Sequence, residues 1–391
     1  MSIKSTRREV LAMLGVSGVA FSATIKRLRA QAAQTPGVLD VAIVGAGAAG
    51  LTAGWLLSQA GLNFRIYEAA DRYGGRARKD TSLADFPIDL GGEWIHTSKS
   101  VLNRLSQTRD ASDLAVEYRP MTSDVWDGQQ LYRANRYARQ WRREHRFIST
   151  TWYDYFDNYM ARFIRDQIAL DAQVTAIDYI GDVVQVDLAN GQSVQAKHVI
   201  VTVPLNVLKD GDIAFTPDLP AEKCEALTGA VMPDGFKLFM RFSAQFYPDL
   251  VFFDHGYETP ESELLFYNVA LDKPTRQHVL GFFGHGALAS PYVQLPEPAF
   301  LQAALDLLDK LYDGAASKNY EAHQLMNWSA SPFHRGTYSY FETSDPATIG
   351  ASIDGRIHFA GEAYNQRWDG EWGYMHVASR SAYDAVDEIA G

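Results

Sequence analysis

Residues 41–79, VAIVGAGAAGLTAGWLLSQAGLNFRIYEAADRYGGRARK, constrain the fold more than any other stretch. They open on Val41-Ala42-Ile43-Val44, a β-branched apolar run of the length and character of a buried parallel strand. Gly45, Gly47 and Gly50 follow in G-x-G-x-x-G spacing. An Ala-rich helix is expected to about residue 60, then a second strand over 63–67 ending at Glu68. Gly45 allows the tight turn out of the strand, and Gly47 lets a diphosphate approach the backbone at the helix N-terminus, beside Ala49. Gly50 lets helix and strand pack closely. Glu68 is placed to accept hydrogen bonds from ribose hydroxyls and disfavours a 2′-phosphate, which argues against NADP. A G-x-G-x-x-G alone is also what a glycine-rich turn looks like. Strand, helix, strand and acid in this order make a dinucleotide-binding unit.

At 391 residues the chain is long enough for two intertwined domains with a substantial core. Cys224 is the sole cysteine, so neither an intramolecular disulfide nor a multi-thiolate metal site can form, and no metal centre is expected. Residues 1–33 read as a targeting segment: Arg7-Arg8, an apolar Gly/Ala-rich stretch to Ile25, then Ala30-Gln31-Ala32 as a cleavage site. The paired arginines resemble a twin-arginine signal, which would place the folded protein in the periplasm or outside the cell. A retained anchor or a basic helix is the other reading. Removing 1–33 takes away six basic residues and one acid, moving the net charge from −11 to −16. That surface does not suit nucleic acid and favours the approach of cations. No later segment is long and apolar enough to span a bilayer, so no stable insertion after export is expected.

The residues after Glu68 narrow the dinucleotide. Asp71-Arg72-Tyr73-Gly74-Gly75-Arg76 resembles the D-R-x-G-G-R continuation of the flavin-dependent amine oxidases, where the arginine, here Arg76, meets the diphosphate. Asp89-Leu90-Gly91-Gly92-Glu93-Trp94-Ile95-His96 resembles the segment that brings this family's backbone up to the isoalloxazine ring, in a form most like polyamine oxidases. The resemblance places Gly91, Gly92, Glu93 and Trp94 at the flavin, with Trp94 and His96 in the substrate channel. His96 also reads as a structural histidine. Gly235-Phe236-Lys237-Leu238 resembles the lysine-bearing strand, whose ammonium holds a water against flavin N5; an exposed edge lysine is the other reading. Trp328 and Gly336-Thr337-Tyr338-Ser339-Tyr340 resemble the W…G-x-Y-S-Y segment. Phe359-Ala360-Gly361-Glu362 and Gly373-Tyr374-Met375 resemble the return to the flavin, followed by a helix to about 389.

The resemblance implies an α/β fold: a Rossmann-like FAD-binding domain of the glutathione-reductase flavoprotein type over 38–100, 171–212 and 337–391. It is intertwined with a sheet-plus-helix substrate domain over 101–170 and 213–336. The implied cofactor is FAD, held non-covalently because Thr337 stands where monoamine oxidases carry the flavin-linking cysteine. Val174 would lie near the adenine, and Gly361 and Glu362 near the ribityl chain and diphosphate. Tyr338 and Tyr374 would form an aromatic pair before the flavin, with core tyrosines as the other reading. The implied reaction is oxidation of a primary amine or polyamine to an imine and aldehyde, with O2 reduced to H2O2. An L-amino acid oxidase or an amine dehydrogenase is the nearest rival, and a flavin-binding accessory protein is a rival of another class.

Two features depart from the family pattern or stand outside it. The stretch between Gly92 and Val174 is shorter than usual, leaving the site open to solvent or closed by a second subunit or partner. Arg133, Arg136, Arg139, Arg142, Arg143 and Arg146 recur mostly at intervals of three and would make a basic stripe on a helix. Such a stripe is either a solvated face or a docking surface for an anionic partner.

Overall fold

The computed structural model describes residues 37–141, 144–254, 262–365 and 371–390. The expected targeting segment, with Arg7 and Arg8, lies outside them, as do Arg142 and Arg143. Among the described residues no helix is long and apolar enough to cross a membrane.

The opening motif folds as β1 (Val38–Val44), α1 (Ala48–Ala60) and β2 (Phe64–Tyr67). Gly45 takes φ +102°, a left-handed conformation in which a side chain would be strained, and a Cβ there would lie 2.7 Å from Thr202 Oγ1. A Cβ on Gly50 would lie 2.0 Å from the Gly45 carbonyl oxygen, so α1 crosses β1 at a distance only glycine permits. Being apolar on nearly every side, α1 is buried almost throughout.

β1 is flanked in parallel by β2 and by β3 (Ser193–Val201). The complete first sheet runs Ala214–Thr216, Val174–Asp178, Val184–Leu188, β3, β1, β2, Ile168–Ala169, with Ile357–Phe359 parallel to the C-terminal end of β3. Its central strands are buried on both faces, as their Val/Ile runs require. The last helix, α2 (Met375–Ile389), shares one apolar core with α1.

Among the described residues the second sheet has seven strands, in the order Tyr320–Asn327, β4 (Gly235–Phe242), β6 (His278–His285), β5 (Glu263–Asn268), Leu250–Phe253, Ser123–Trp126, Leu131–Arg133. Phe236, Leu238, Met240 and Phe242 of β4 join the core beneath the helix Glu297–Leu311. With a side-chain period of two, Lys237 and Phe239 therefore project from the opposite face. Leu265 and Tyr267 of β5 share that face, where Phe239, Tyr267 and Met326 pack with Trp328.

The sequence assigns the whole of 101–170 to the second domain, but only part of it lies there. The helices Ser100–Ser106 and Trp152–Tyr159 bury Leu102, Trp152, Tyr155 and Phe156 in the same core as α1, and Ile168–Ala169 extends β2's edge of the first sheet. Only the hairpin over 123–133 joins the second sheet. At the other boundary, Ala214–Thr216 adds a strand to the first sheet beyond residue 212. The arginine stripe is not helical as a whole. Arg133 ends a strand, the helix spans Asn135–Gln140, and Arg146 lies on the strand His145–Phe147. Arg146 is fully buried, donating to the Val269 carbonyl and stacking 4.6 Å above the Tyr118 ring, so it is no part of a solvated face. Interval counting could not register the strand breaks between these residues.

Two glycines of one motif should fail differently. Gly50→Ala drives a Cβ into backbone and should cost about 3 kcal/mol or more of stability. A Cβ on Gly47 meets nothing within 4 Å, so Gly47→Ala should stay within about 1 kcal/mol of wild type while weakening dinucleotide binding. Urea unfolding and dinucleotide titration of both variants check this.

Candidate functional site

One cavity runs from the β1–α1 turn to the inner face of the second sheet, and nearly every expected site residue lines it. Gly45, Gly47 and Ala49 border one end with Glu68 and Val174; Arg76, Gly361 and Glu362 follow, then Gly91, Gly92, Glu93 and Trp94. Lys237, Tyr338, Tyr374 and His96 line the other end. Gly50 is the exception: it lies beneath the wall and acts through packing.

At the first end, Glu68 closes β2 and accepts hydrogen bonds from the backbone N–H of Ala46 (2.7 Å) and Ala70 (2.9 Å). Burial raises its pKa, and these two donors pull in the opposite direction. The N-terminus of α1 has no side-chain cap, and Gly47 opens onto free space. The uncapped N–H groups and a cradle that any Cβ would fill suit a diphosphate. Arg76 bonds Glu362 Oε1 at 2.9 Å and the Thr337 carbonyl, which ties the D-R-x-G-G-R turn to the C-terminal segment. Glu362 also accepts from the Ser339 N–H and hydroxyl. Arg72 turns inward to the carbonyls of Tyr73 and Gly75 and shapes the turn. Gly91 and Gly92 again mark close approach: a Cβ on the first would lie 1.8 Å from the Arg76 carbonyl oxygen, and one on the second 2.6 Å from Met375 Cε. The residues present therefore fit a dinucleotide held along this cavity.

At the second end the Lys237 side chain forms a buried ion pair with Glu93, Nζ to Oε2 2.8 Å. The Tyr267 hydroxyl donates to the same oxygen at 2.7 Å. Burial acts to raise the Glu93 pKa, but the charges of Lys237 and Arg146 and these two hydrogen bonds outweigh it and hold the carboxyl below its usual value. Asp89, fully buried nearby, goes the other way: burial and the Glu93 charge push its pKa well above normal, favouring the protonated acid. Its Oδ1 accepts from the Trp152 N–H.

Tyr338 stacks on His285 (centroids 4.3 Å apart, planes within 4°), whose Nδ1 lies 2.7 Å from Thr337 Oγ1. Tyr374 packs between His96 (4.6 Å) and His376 (5.2 Å). Among the described residues no ring contact joins Tyr338 to Tyr374, so each is held from behind by a histidine. His96 Nδ1 lies 2.9 Å from Glu144. It thus lies on the cavity wall and within ion-pair distance of a carboxylate.

Sequence reasoning missed several members. Tyr267, Glu263 and Phe283 reach the cavity because β6 pairs with β4 and β5 with β6, a pairing of strands that no local motif reports. Trp141 stands against Trp94 at 5.3 Å, edge to face. His334, nine-tenths buried in the wall, bonds Ser331 through Nδ1 and packs on Trp328. It lies between Trp328 and Gly336, in a stretch whose Pro332 and Gly336 mark a turn but give the histidine no signal of its own. Cys224 is exposed on the helix Ala221–Thr228, and Thr337 stands on the cavity wall. Among the described residues no cluster of His, Cys, Asp or Glu has the arrangement of a metal centre.

A sequence profile for flavin containing amine oxidoreductases matches residues 104–390, and one for an NAD(P)-binding Rossmann-like domain matches 43–108. Polyamine oxidase 4 of Oryza sativa subsp. japonica is 24% identical over an alignment covering 93% of this chain and 90% of that protein. Lysine-specific histone demethylase 1B of Mus musculus is 29% identical over 209 residues, 51% of this chain and a quarter (25%) of the demethylase. Among solved structures, the cyclohexylamine oxidase of Brevibacterium oxydans IH-35A aligns with TM-score 0.73 at 18% identity, covering 90% of this chain and 99% of that one. A putrescine oxidase bound to putrescine aligns with TM-score 0.73 at 17% identity, covering 90% and 98%. At these identities the structural likeness speaks for the fold.

The buried histidines carry a pH signature. His285 is fully buried and burial lowers its pKa to about 4, whereas an unfolded histidine titrates near about 6.5. As pH falls through that interval the unfolded state binds the proton first, so stability drops with acidification. The loss from this residue should reach about 2 kcal/mol by about pH 5. Denaturant unfolding at pH 7 and 5 should show His285→Asn losing about that much less than wild type, whatever its stability at pH 7.

Proposed function

The chain belongs to the flavin containing amine oxidoreductases, and from that premise we propose that it oxidises a primary amine or polyamine with O2 as electron acceptor. The overall change is RCH2NH2 + O2 + H2O → RCHO + NH3 + H2O2, with the imine hydrolysing in water. FAD is the cofactor of this enzyme class, and when bound it takes up the hydride equivalent from the carbon next to nitrogen. The observation that carries the reading is the single cavity joining the dinucleotide cradle at Gly47 to the aromatic chamber at Tyr338 and Tyr374.

In this reading Gly45, Gly47 and Ala49 hold the diphosphate with Arg76, Glu68 takes a ribose, and Val174 covers the adenine. Gly361 and Glu362 hold the middle of the cofactor, and Gly91 and Gly92 let backbone approach the ring. With Thr337 in the linking position and the thiol exposed elsewhere, the attachment is non-covalent. Tyr338 and Tyr374, each backed by a histidine, offer aromatic faces that guide an amine and exclude bulk water. Trp94 and His96 line the approach. Lys237 keeps its ammonium at the chamber wall, where it serves the reaction with oxygen by opposing negative charge that develops there. Glu93 follows Gly91-Gly92, and its ionised carboxyl on the wall opposes a substrate bearing an α-carboxylate. That weakens the L-amino acid oxidase alternative.

Anaerobic mixing of the flavin-loaded protein with putrescine, spermidine, tyramine, benzylamine and L-amino acids tests the proposal. An amine should bleach the flavin, and the L-amino acids should not. Bleaching by dithionite but by no amine would sink it and leave the accessory role. In the reoxidation half, Lys237→Met should slow the return of the yellow colour in air by about tenfold or more with FAD still bound. An unchanged rate removes Lys237 from the oxygen step.

A further inference from the structure

Glu93 occupies the variable position of the D-L-G-G-x-W motif, and the structure gives its two oxygens different surroundings. Oε2 is engaged twice, by Lys237 Nζ at 2.8 Å and by the Tyr267 hydroxyl at 2.7 Å. Oε1 has no hydrogen-bond partner among the described residues, and it is not among the buried polar atoms sealed without one. Since Glu93 lines the cavity, Oε1 is the oxygen that reaches it. The side chain is only 7% exposed, so what that oxygen meets is the chamber and not bulk solvent.

We propose that Glu93 is the specificity-determining anchor for the substrate's amino group, with Oε1 accepting N–H hydrogen bonds from the amine held beside Trp94 and Tyr267. The inference rests on the amine-oxidising reading of the same site. Three features support it. Lys237 and Tyr267 fix the carboxylate's orientation through Oε2 and keep Oε1 aimed inward, so no ordering cost falls on substrate binding. The same two donors and the charge of Arg146 keep the carboxyl ionised despite its burial. An ionised acceptor in a confined, largely aromatic chamber binds an N–H donor more strongly than a neutral one does. Trp94 and Tyr267, their ring centroids 5.7 Å apart, wall this part of the chamber with aromatic carbon, so the carboxylate oxygen is the acceptor an amine meets there. Glu93 is thereby a point of selection for amines.

A primary amine with no hydrogen on its α-carbon binds but cannot be oxidised, so affinity is measured apart from turnover. Titrating such an α,α-dimethyl amine into the oxidised, FAD-loaded protein and following the flavin absorbance gives its Kd, and the matching α,α-dimethyl alcohol is the neutral control. Glu93→Gln should weaken the amine at least tenfold at pH 7 and leave the alcohol within about twofold. Because that variant also leaves Lys237 unpaired and repelling cations, the double variant Glu93→Gln with Lys237→Met is measured as well. It should still bind the amine at least tenfold more weakly than wild type. Wild-type amine affinity in the FAD-loaded double variant would overturn the proposal. If oxidisable amines fail to bleach the wild-type flavin, the functional reading falls and this inference falls with it. Bleaching by amines together with unaltered binding in both variants overturns the anchor alone.

Discussion

The crossing of α1 over the end of β1 is the constraint on which the rest of the molecule depends. Helix and strand meet where Gly50 faces the Gly45 carbonyl, at a separation that leaves no room for a methyl group. The Thr202 hydroxyl donates toward the Val44 (2.8 Å) and Gly45 (3.1 Å) carbonyls from just beyond β3. That locks the turn between its two neighbouring strands and points the uncapped end of α1 along the cavity. Arg76 then carries the geometry outward: its bonds to Glu362 and Thr337 join the N-terminal unit to the segment that bears Tyr338. One guanidinium thereby ties together at the site segments that lie far apart in sequence.

The second sheet contributes by alternation. β4 devotes one face to the core under the helix Glu297–Leu311, and this fixes Lys237 on the other. Pairing with β6, and of β6 with β5, places Phe283 and Tyr267 across from it. A single-residue slip of β4 would bury Lys237 beneath the helix without a partner and turn Phe236 or Leu238 to the chamber. The six apolar residues on the helix side of β4 and β5, Phe236, Leu238, Met240, Phe242, Leu264 and Phe266, set the register that the chamber needs.

How much of this was legible in the sequence follows from the range of the interactions. The glycine turns, Glu68 and the motif tyrosines each announce themselves within a few residues, because a tight turn or a close backbone approach is a local demand. The partners Tyr267 and His285 are 30 and 48 residues from Lys237 in sequence, and strand pairing alone brings them in. Trp152, Tyr155 and Phe156 fall in a stretch assigned from the sequence to the second domain, yet they pack in the core of α1, a long-range contact that no local pattern reports. Arg146 was misread for a related reason. Its spacing matched a solvated stripe, while its side chain is drawn inward by the carbonyls of Val269 and Leu271.

The charges around the chamber form a connected arrangement and explain why so many can be buried together. Lys237, with Arg146, holds the Glu93 carboxyl below its usual value at this depth, while burial and the Glu93 charge push Asp89 the other way, toward its protonated form. The outcome is one ion pair, one neutral acid and a guanidinium held by main-chain carbonyls and the rings of Tyr118 and Trp94. A chamber arranged in this way has a strong, directed polarity, with an ionised oxygen at a fixed point among aromatic faces. That polarity discriminates between an amine and an alcohol of the same shape, which a purely apolar pocket of these dimensions does only weakly.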